Sequence, residues 1–228
     1  EADKRICAYN ESGLEILAGR CKHCDPVHEV TIIPRGNGAG GFTMTRPDED
    51  GEFRSYNQMV DNICMTLGGR AAEEIVVKDV TQGASADLQS VSATARRMVT
   101  QYGMSEKLGL VAYENNQPVF MGMEYEYGGG NRNGYSQKTA SVIDDEIRRL
   151  IAEQHERALR LLTENRSILD NMSRVLVEKE TIFTEEVEML MKGASYTEVI
   201  EFMDREGDKR AANPFERFSG AAPQPGQA

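Results

Sequence analysis

The longest uninterrupted helical pattern in the chain, "QKTASVIDDEIRRLIAEQHERALRLLT" from Gln137 to Thr163, constrains the fold most. Val142, Ile143, Ile147, Leu150, Ile151, Ala158, Leu159 and Leu162 recur at helical spacing and form one wide apolar face. A stripe of that width has to be covered by other apolar elements, so the chain reads as a packed helical protein. Similar spacing predicts a helix over 3–20, with Ile6, Tyr9, Gly13, Ile16 and Leu17 along one side. Another is expected over 55–77, turning Met59, Val60, Ile63, Leu67, Ala71 and Ile75 to a core. A third, over 85–102, carries Leu88, Val91, Ala95, Met98 and Val99. Shorter helices are expected at 165–178, 184–192 and 196–205.

Strand patterns are few. In "HEVTIIPRG" (28–36), Val30, Ile32 and Pro34 alternate with Thr31 and Ile33, and "GGFTMTRP" (40–47) reads as a shorter strand closed by its proline. The glycine-rich "RGNGAG" between them is a turn. From 103 to 136 the periodicity breaks into loops, with short strands expected around "LGLVAYE" and "QPVFMG". "GGGNRNG" (128–134) is flexible by composition. Beyond Arg205 the polar tail ending "ERFSGAAPQPGQA" reads as disordered. The expected architecture is mainly α, a helical domain over 1–205 with a small β-sheet around 28–47, near the N-terminal end, and a tail over 206–228. No internal repeat is evident.

Composition narrows the function classes. The 228 residues suffice for one large domain or two small ones, and 11 Met with no Trp suits helices packed on flexible aliphatic side chains. A formal charge of −11 argues against binding a nucleic-acid backbone, which needs clustered Lys and Arg. No run of about 18 apolar residues offers a membrane span, and the N-terminus lacks a signal-peptide pattern. The cysteines Cys7, Cys21, Cys24 and Cys64 do not read as a disulfide scaffold in a chain this long, so reduced, intracellular thiols are expected.

Seven stretches carry a resemblance: "AYNESG", "DPVHEVTIIPRG", "GGFTMTRPDED", "LGGRAAEEIV", "TQGASADLQSVSATARRMVTQYGMSEKLG", "YSQKTASVIDDEIRRLI" and "ALRLLTENRSILDNMSRVLVEKETI". In this order they resemble the peptidase domain of FtsH-type, membrane-anchored ATP-dependent zinc metalloproteases, over roughly residues 5–190. The resemblance implies a His-Glu-x-x-His helix, whose histidines lie one turn apart and reach one Zn²⁺ together. It also implies a third ligand, an Asp, and a general base, the Glu inside the helix motif. Here the two His positions are held by Asn10 and Leu14, the Glu is Glu11, and the Asp is Asp87 within "GASADLQ". Two of the three ligands are therefore replaced. Leu14 has no donor atom, and the neutral amide oxygen of Asn10 suits hard cations better than zinc.

Other clusters have simpler readings. His28 opens a strand, and the resemblance assigns it no metal role. His155 falls on the apolar side of its helix and reads as a structural histidine. "CKHCDPVH" (21–28) gathers two thiols and two imidazoles with a Cys-x-x-Cys spacing suited to a soft metal or a redox pair, or to an ordinary loop. Glu73 and Glu74 in "RAAEEI" are adjacent on a helix and point apart, so they read as surface or salt-bridging groups. Gly41, Phe42 and Thr43 lie on a strand that, by resemblance, would run beside the metal and bind extended substrate.

The expected function is a peptidase-like domain, proteolytically inactive and without zinc at the degenerate site, acting as a scaffold or chaperone-like unit. The resemblance implies hexamers, homo- or hetero-, with FtsH-type subunits, and unfolded or membrane proteins as clients. It further implies an upstream AAA ATPase and a membrane anchor that would put the domain on the cytoplasmic side. The chain lacks a G-x-x-x-x-G-K-S/T loop, so ATP would act only through that upstream domain, and the chain reads as part of a longer protein. Two alternatives stand beside this reading: an active ATP-dependent zinc metalloendopeptidase with unrecognised ligands, and a metal- or redox-sensing module using Cys21 and Cys24.

Overall fold

The computed structural model describes residues 2–25, 27–34, 42–45, 53–78, 80–113 and 135–212. Helix α1 (Ala2–Arg20) leads into strands β1 (Val27–Thr31) and β2 (Phe42–Thr45). Helices α2 (Tyr56–Thr66) and α3 (Gly68–Val76) follow, then a 3₁₀ turn (Gln82–Ala84) running into α4 (Ser85–Thr100). The second half contains α5 (Gln137–Glu164), α6 (Arg166–Lys179), strand β3 (Thr181–Phe183), α7 (Thr184–Met191) and α8 (Tyr196–Ala212). The mainly helical reading therefore stands.

The periodicity of α5 does what its width requires. Ile143, Leu150, Ala158 and Leu162 are fully buried, while Ile147 and Ile151 pack on a cluster of Met59, Ile63, Leu67, Val91, Ala95 and Met98 between α2 and α4. The main core joins Ile16 and Leu17 of α1 to Ala71 and Ala72 of α3, Leu169, Met172 and Leu176 of α6, and Val30 and Ile182 of the sheet.

The expected helix over 55–77 is two helices. The break falls at Leu67, followed by Gly68 and Gly69, which weaken helix propensity but let α3 lie directly on α1. A Cβ on Gly13 would sit 2.4 Å from the Gly68 carbonyl oxygen, so the two backbones touch where these glycines meet. Ser55 starts α2 with a capping box, its hydroxyl accepting from the Gln58 N–H while the Gln58 side chain accepts from the Ser55 N–H.

The sheet has the order β2-β1-β3, antiparallel throughout, with Val30 opposite Thr43 on one side and Ile182 on the other. Strand β3 was not foreseen. Three residues carry too little pattern to announce a strand, and its pairing partner β1 is far away in sequence. Its register is held by the Thr31 and Thr181 hydroxyls at 2.8 Å and by the Ile32 N–H donating to the Glu180 carbonyl at 2.9 Å.

Three further expectations are corrected. Residues 108–113 form turns and irregular backbone with no strand, and "QPVFMG" lies outside the described residues, as does "GGGNRNG". Leu88 is exposed, because the burial stripe of α4 runs through Val91, Ala95, Met98 and Val99. Helix α8 continues past the expected boundary at Arg205 to Ala212. Residues 213–228 lie outside the description.

Candidate functional site

The degenerate helix motif lies mid-way along α1, pressed against α3 by the Gly13–Gly68 contact. That contact carries Asn10 to the start of α3, where a Cβ on Gly69 would meet the Asn10 amide at 2.5 Å. The Asn10 amide nitrogen donates to Glu73 Oε1 at 3.2 Å. Glu73 is 1% exposed and takes two more donors from the segment after α3, the Thr81 N–H at 3.0 Å and the Thr81 hydroxyl at 3.2–3.3 Å. Thr81 in turn caps the 3₁₀ turn by accepting from the Gly83 N–H at 3.0 Å.

This chain of bonds aims the start of α4, and Asp87 sits in its first turn. Burial raises the Asp87 carboxyl above its usual range, and the negative charge of Glu73 raises it further. Glu73 thus links two elements, hydrogen-bonded to Asn10 on α1 and acting through its charge on Asp87 in α4. Glu11 is buried on the same helix, and its charge together with burial pushes the Cys7 thiol one turn earlier up to about 11.

Glu73 is the residue that sequence reading misplaced. It is a buried hydrogen-bond hub, and only the fold, by bringing Asn10 and Thr81 to it, reveals this. Glu74 behaves as read, with Oε1 accepting from Arg70 Nε at 2.8 Å and Oε2 lying 3.2 Å from His155 Nε2. His155 is half-buried on α5 beside Glu74. Leu14 is half-buried and is not among the side chains packed on the core clusters of the described residues.

The residues at the ligand positions do not fit zinc. A tetrahedral zinc site takes nitrogen, sulfur or carboxylate donors. Leu14 supplies none, and Asn10 offers only a neutral amide whose nitrogen donates to Glu73, which leaves Asp87 as the one carboxylate, imidazole or thiol among the three ligand positions. Among the described residues no three His, Cys, Asp or Glu side chains are arranged to hold a metal ion.

Of the residues read as substrate-binding, Phe42 and Thr43 lie on β2, at an edge of the sheet, opposite Thr31 and Val30. Gly41 lies outside the described residues. His28 is in β1. The "CKHC" stretch closes differently from any reading of the sequence alone. The Cys21 sulfur is hydrogen-bonded by both Cys24 and Cys64, and His23 binds Asp61 through its N–H at 3.0 Å and Nδ1 at 2.9 Å. Cys64 and Asp61 come from α2, which no local spacing announces.

Comparison with known proteins identifies the family. A model of peptidase family M41 matches residues 1–190. The chain is 42% identical over 193 residues to the ATP-dependent zinc metalloprotease FtsH of Veillonella parvula, which covers 84% of this chain. It is 40% identical over 209 residues to the protein of that name from Clostridium perfringens, and 38% over 218 residues to that of Pseudothermotoga lettingae, covering 92% and 95% of this chain. The chain spans 29%, 28% and 34% of those relatives' own lengths. With the family match covering residues 1–190 and the mainly helical fold those residues form, this chain belongs to peptidase family M41.

Proposed function

We propose that this domain keeps the family fold without zinc-dependent proteolysis and serves as a scaffold in rings with FtsH-type subunits. The observation that carries the reading is the Asn10–Glu73 hydrogen bond: the side chain at a ligand position is turned into the protein as a donor. Zinc lowers the pKa of a bound water from about 15.7 to about 7, worth on the order of 12 kcal/mol of nucleophile activation. General base catalysis by Glu11 supplies only about 10²–10⁴-fold, or roughly 3–5 kcal/mol, so it does not replace the metal.

The relatives' name joins a zinc protease to ATP, and the chain matches only about a third of their length or less. The ATPase and the membrane anchor that would hold this domain on the cytoplasmic side belong, in this reading, to a longer protein. No helix among the described residues is long and apolar enough to cross a membrane. Hexamers, homo- or hetero-, with unfolded or membrane proteins as clients, follow from the same kinship. Strand β2, with Phe42 and Thr43 and preceded in sequence by Gly41, is where an extended polypeptide would add by backbone pairing.

Restoring the ligands is the test. The chain as it stands, purified without chelators, is expected to hold no stoichiometric zinc and to cleave no unfolded substrate. Asn10→His combined with Leu14→His should bind zinc with submillimolar affinity or better, an order-of-magnitude expectation for three-ligand sites. Near one zinc per unmodified chain, lost on Asp87→Ala, would overturn the proposal. A folded double variant that binds no zinc would show that Asp87 does not face this helix.

A further inference from the structure

Three of the chain's four cysteines converge at one point, outside the degenerate site. Cys21 follows the last turn of α1, its N–H bonded to the Leu17 carbonyl at 2.8 Å. The chain then turns back, and the Cys24 N–H reaches the Cys21 carbonyl at 3.5 Å. Cys64 arrives from α2. The thiols of Cys24 and Cys64 both hydrogen-bond the Cys21 sulfur, and all four cysteines of the chain are unlinked. Cys21 is 4% exposed and Cys64 fully buried, whereas Cys24 is half-buried at the lip of the cluster.

Buried cysteines often act as small hydrophobes, and that reading would suffice for an apolar pocket. This pocket is not apolar. Arg157 Nη1 donates to Asp61 Oδ1 at 2.6 Å, the other oxygen of Asp61 holds His23, and the Arg157 and Asp61 charges both act on Cys21. Two S–H donors and the guanidinium lower the Cys21 pKa, while Cys24 and Cys64, acting as donors and buried, are raised. Cys21 is therefore the first of the three to ionise. The C-terminal end of α1 opposes this, since its dipole disfavours an anion there, but two hydrogen bonds and a cation outweigh one helix end. Among the described residues no three His, Cys, Asp or Glu side chains are arranged to hold a metal ion, and an ionisable thiol beside a second thiol is suited to redox chemistry.

We propose that Cys21 and Cys24 form a peroxide-sensitive dithiol, with Cys21 as the sulfur that is oxidised and Cys24 as the one that resolves it. The Cys21 thiolate attacks one oxygen of a hydroperoxide, here hydrogen peroxide; the O–O bond breaks, and the departing hydroxide takes up the proton Cys21 released. Cys21 is then a sulfenic acid. The Cys24 sulfur attacks it, the S–O bond breaks, and the hydroxyl leaves as water with the Cys24 proton. The two thiols lose two electrons in total, and peroxide becomes two waters. The disulfide would pin the loop between α1 and β1.

Cys7 is a built-in reference, since burial and Glu11 push its thiol up to about 11 and keep it out of the thiolate form at neutral pH. The native chain is treated with hydrogen peroxide, denatured, alkylated and mapped by mass spectrometry after trypsin, which cuts at Lys22 between the two sulfurs. The expected result is loss of two alkylatable thiols, a linked pair of peptides joining Cys21 to Cys24, and oxidation of Cys7 roughly tenfold slower or more. In Cys24→Ser, a sulfenic acid should persist at Cys21 and be trapped by a 1,3-dione. Oxidation of Cys7 as fast as Cys21, a Cys21–Cys64 bond, or full retention of all thiols would each overturn the proposal. The map of the unmodified chain decides it even where the variant does not fold.

Discussion

Glu15 is the group whose replacement tests the electrostatics most directly. It lies on α1, is 2% exposed, and its Oε2 has no hydrogen-bond partner among the described residues. Burial alone pushes its carboxyl from 4.5 up to about 8. Between those values the folded chain keeps a proton that the unfolded chain has released. Stability therefore falls as pH rises from about 4.5 to about 8 and is flat on either side. At about 1.36 kcal/mol per unit, the shift costs about 5 kcal/mol once the group is ionised in both states. Between pH 5 and pH 8 the expected change is about 3–4 kcal/mol. The orphaned oxygen adds a pH-independent cost of about 1–3 kcal/mol.

Glu15→Met keeps the volume and removes both costs. Urea unfolding of the chain and of the variant at pH 5 and pH 8 separates the two. The variant should be the more stable at both, with its advantage widening by about 3–4 kcal/mol at the higher pH. An equal advantage at the two pH values would show that ionisation of Glu15 is not resisted by the fold. No advantage at either would mean that the carboxyl reaches water or a partner, and the burial argument would fail.

Glu146 should behave in the opposite sense. It is buried, but Arg149, Lys107 and Ser105 all bond it and lower its carboxyl to about 2, so its contribution is present above about 4.5 and is lost as pH falls through about 2. Glu146→Gln should cost about 1–3 kcal/mol at pH 7, with the difference shrinking in acid, as measured by denaturant melts at pH 7 and pH 3. Gly13→Ala places a methyl 2.4 Å from the Gly68 carbonyl oxygen and should destabilise the fold by about 1–3 kcal/mol or more, read as a lower thermal midpoint. A neutral Gly13→Ala would mean that α1 and α3 do not cross so closely.

How far the sequence was legible depended on whether a feature was local. The helices α1, α4, α5, α6 and α7 follow from apolar spacing, because each buries one stripe and its residues lie within a few turns of one another. The division between α2 and α3 was missed because the Gly68–Gly69 pair answers to α1, which is remote in sequence. The extension of α8 past Arg205 was missed because polar composition was weighed above helix propensity. Asp87 is reached through the resemblance alone; in the structure burial, and then the charge of Glu73, raise its carboxyl. Glu73, Asp61 and Cys64 were not found, for one reason. Each acquires its role from partners in other elements, and no spacing along the chain encodes such a meeting.

The frame around the degenerate site has its own reasons to persist. Gly13 and Gly68 are needed for the α1–α3 crossing whatever stands at positions 10 and 14. Glu73 is buried and tied to Thr81, so losing it would leave the Thr81 N–H and the Asn10 amide without their acceptor. Those bonds also set the turn that starts α4, and with it Asp87. Leu14, by contrast, is half-buried and outside the described core clusters, and half-buried Asn10 contributes a hydrogen bond to Glu73. Structural constraint therefore falls on the surroundings and not on the two ligand positions. On these contacts, replacing Asn10 or Leu14 by histidine should cost the fold less than replacing Gly13 by alanine or Glu73 by a residue without an acceptor.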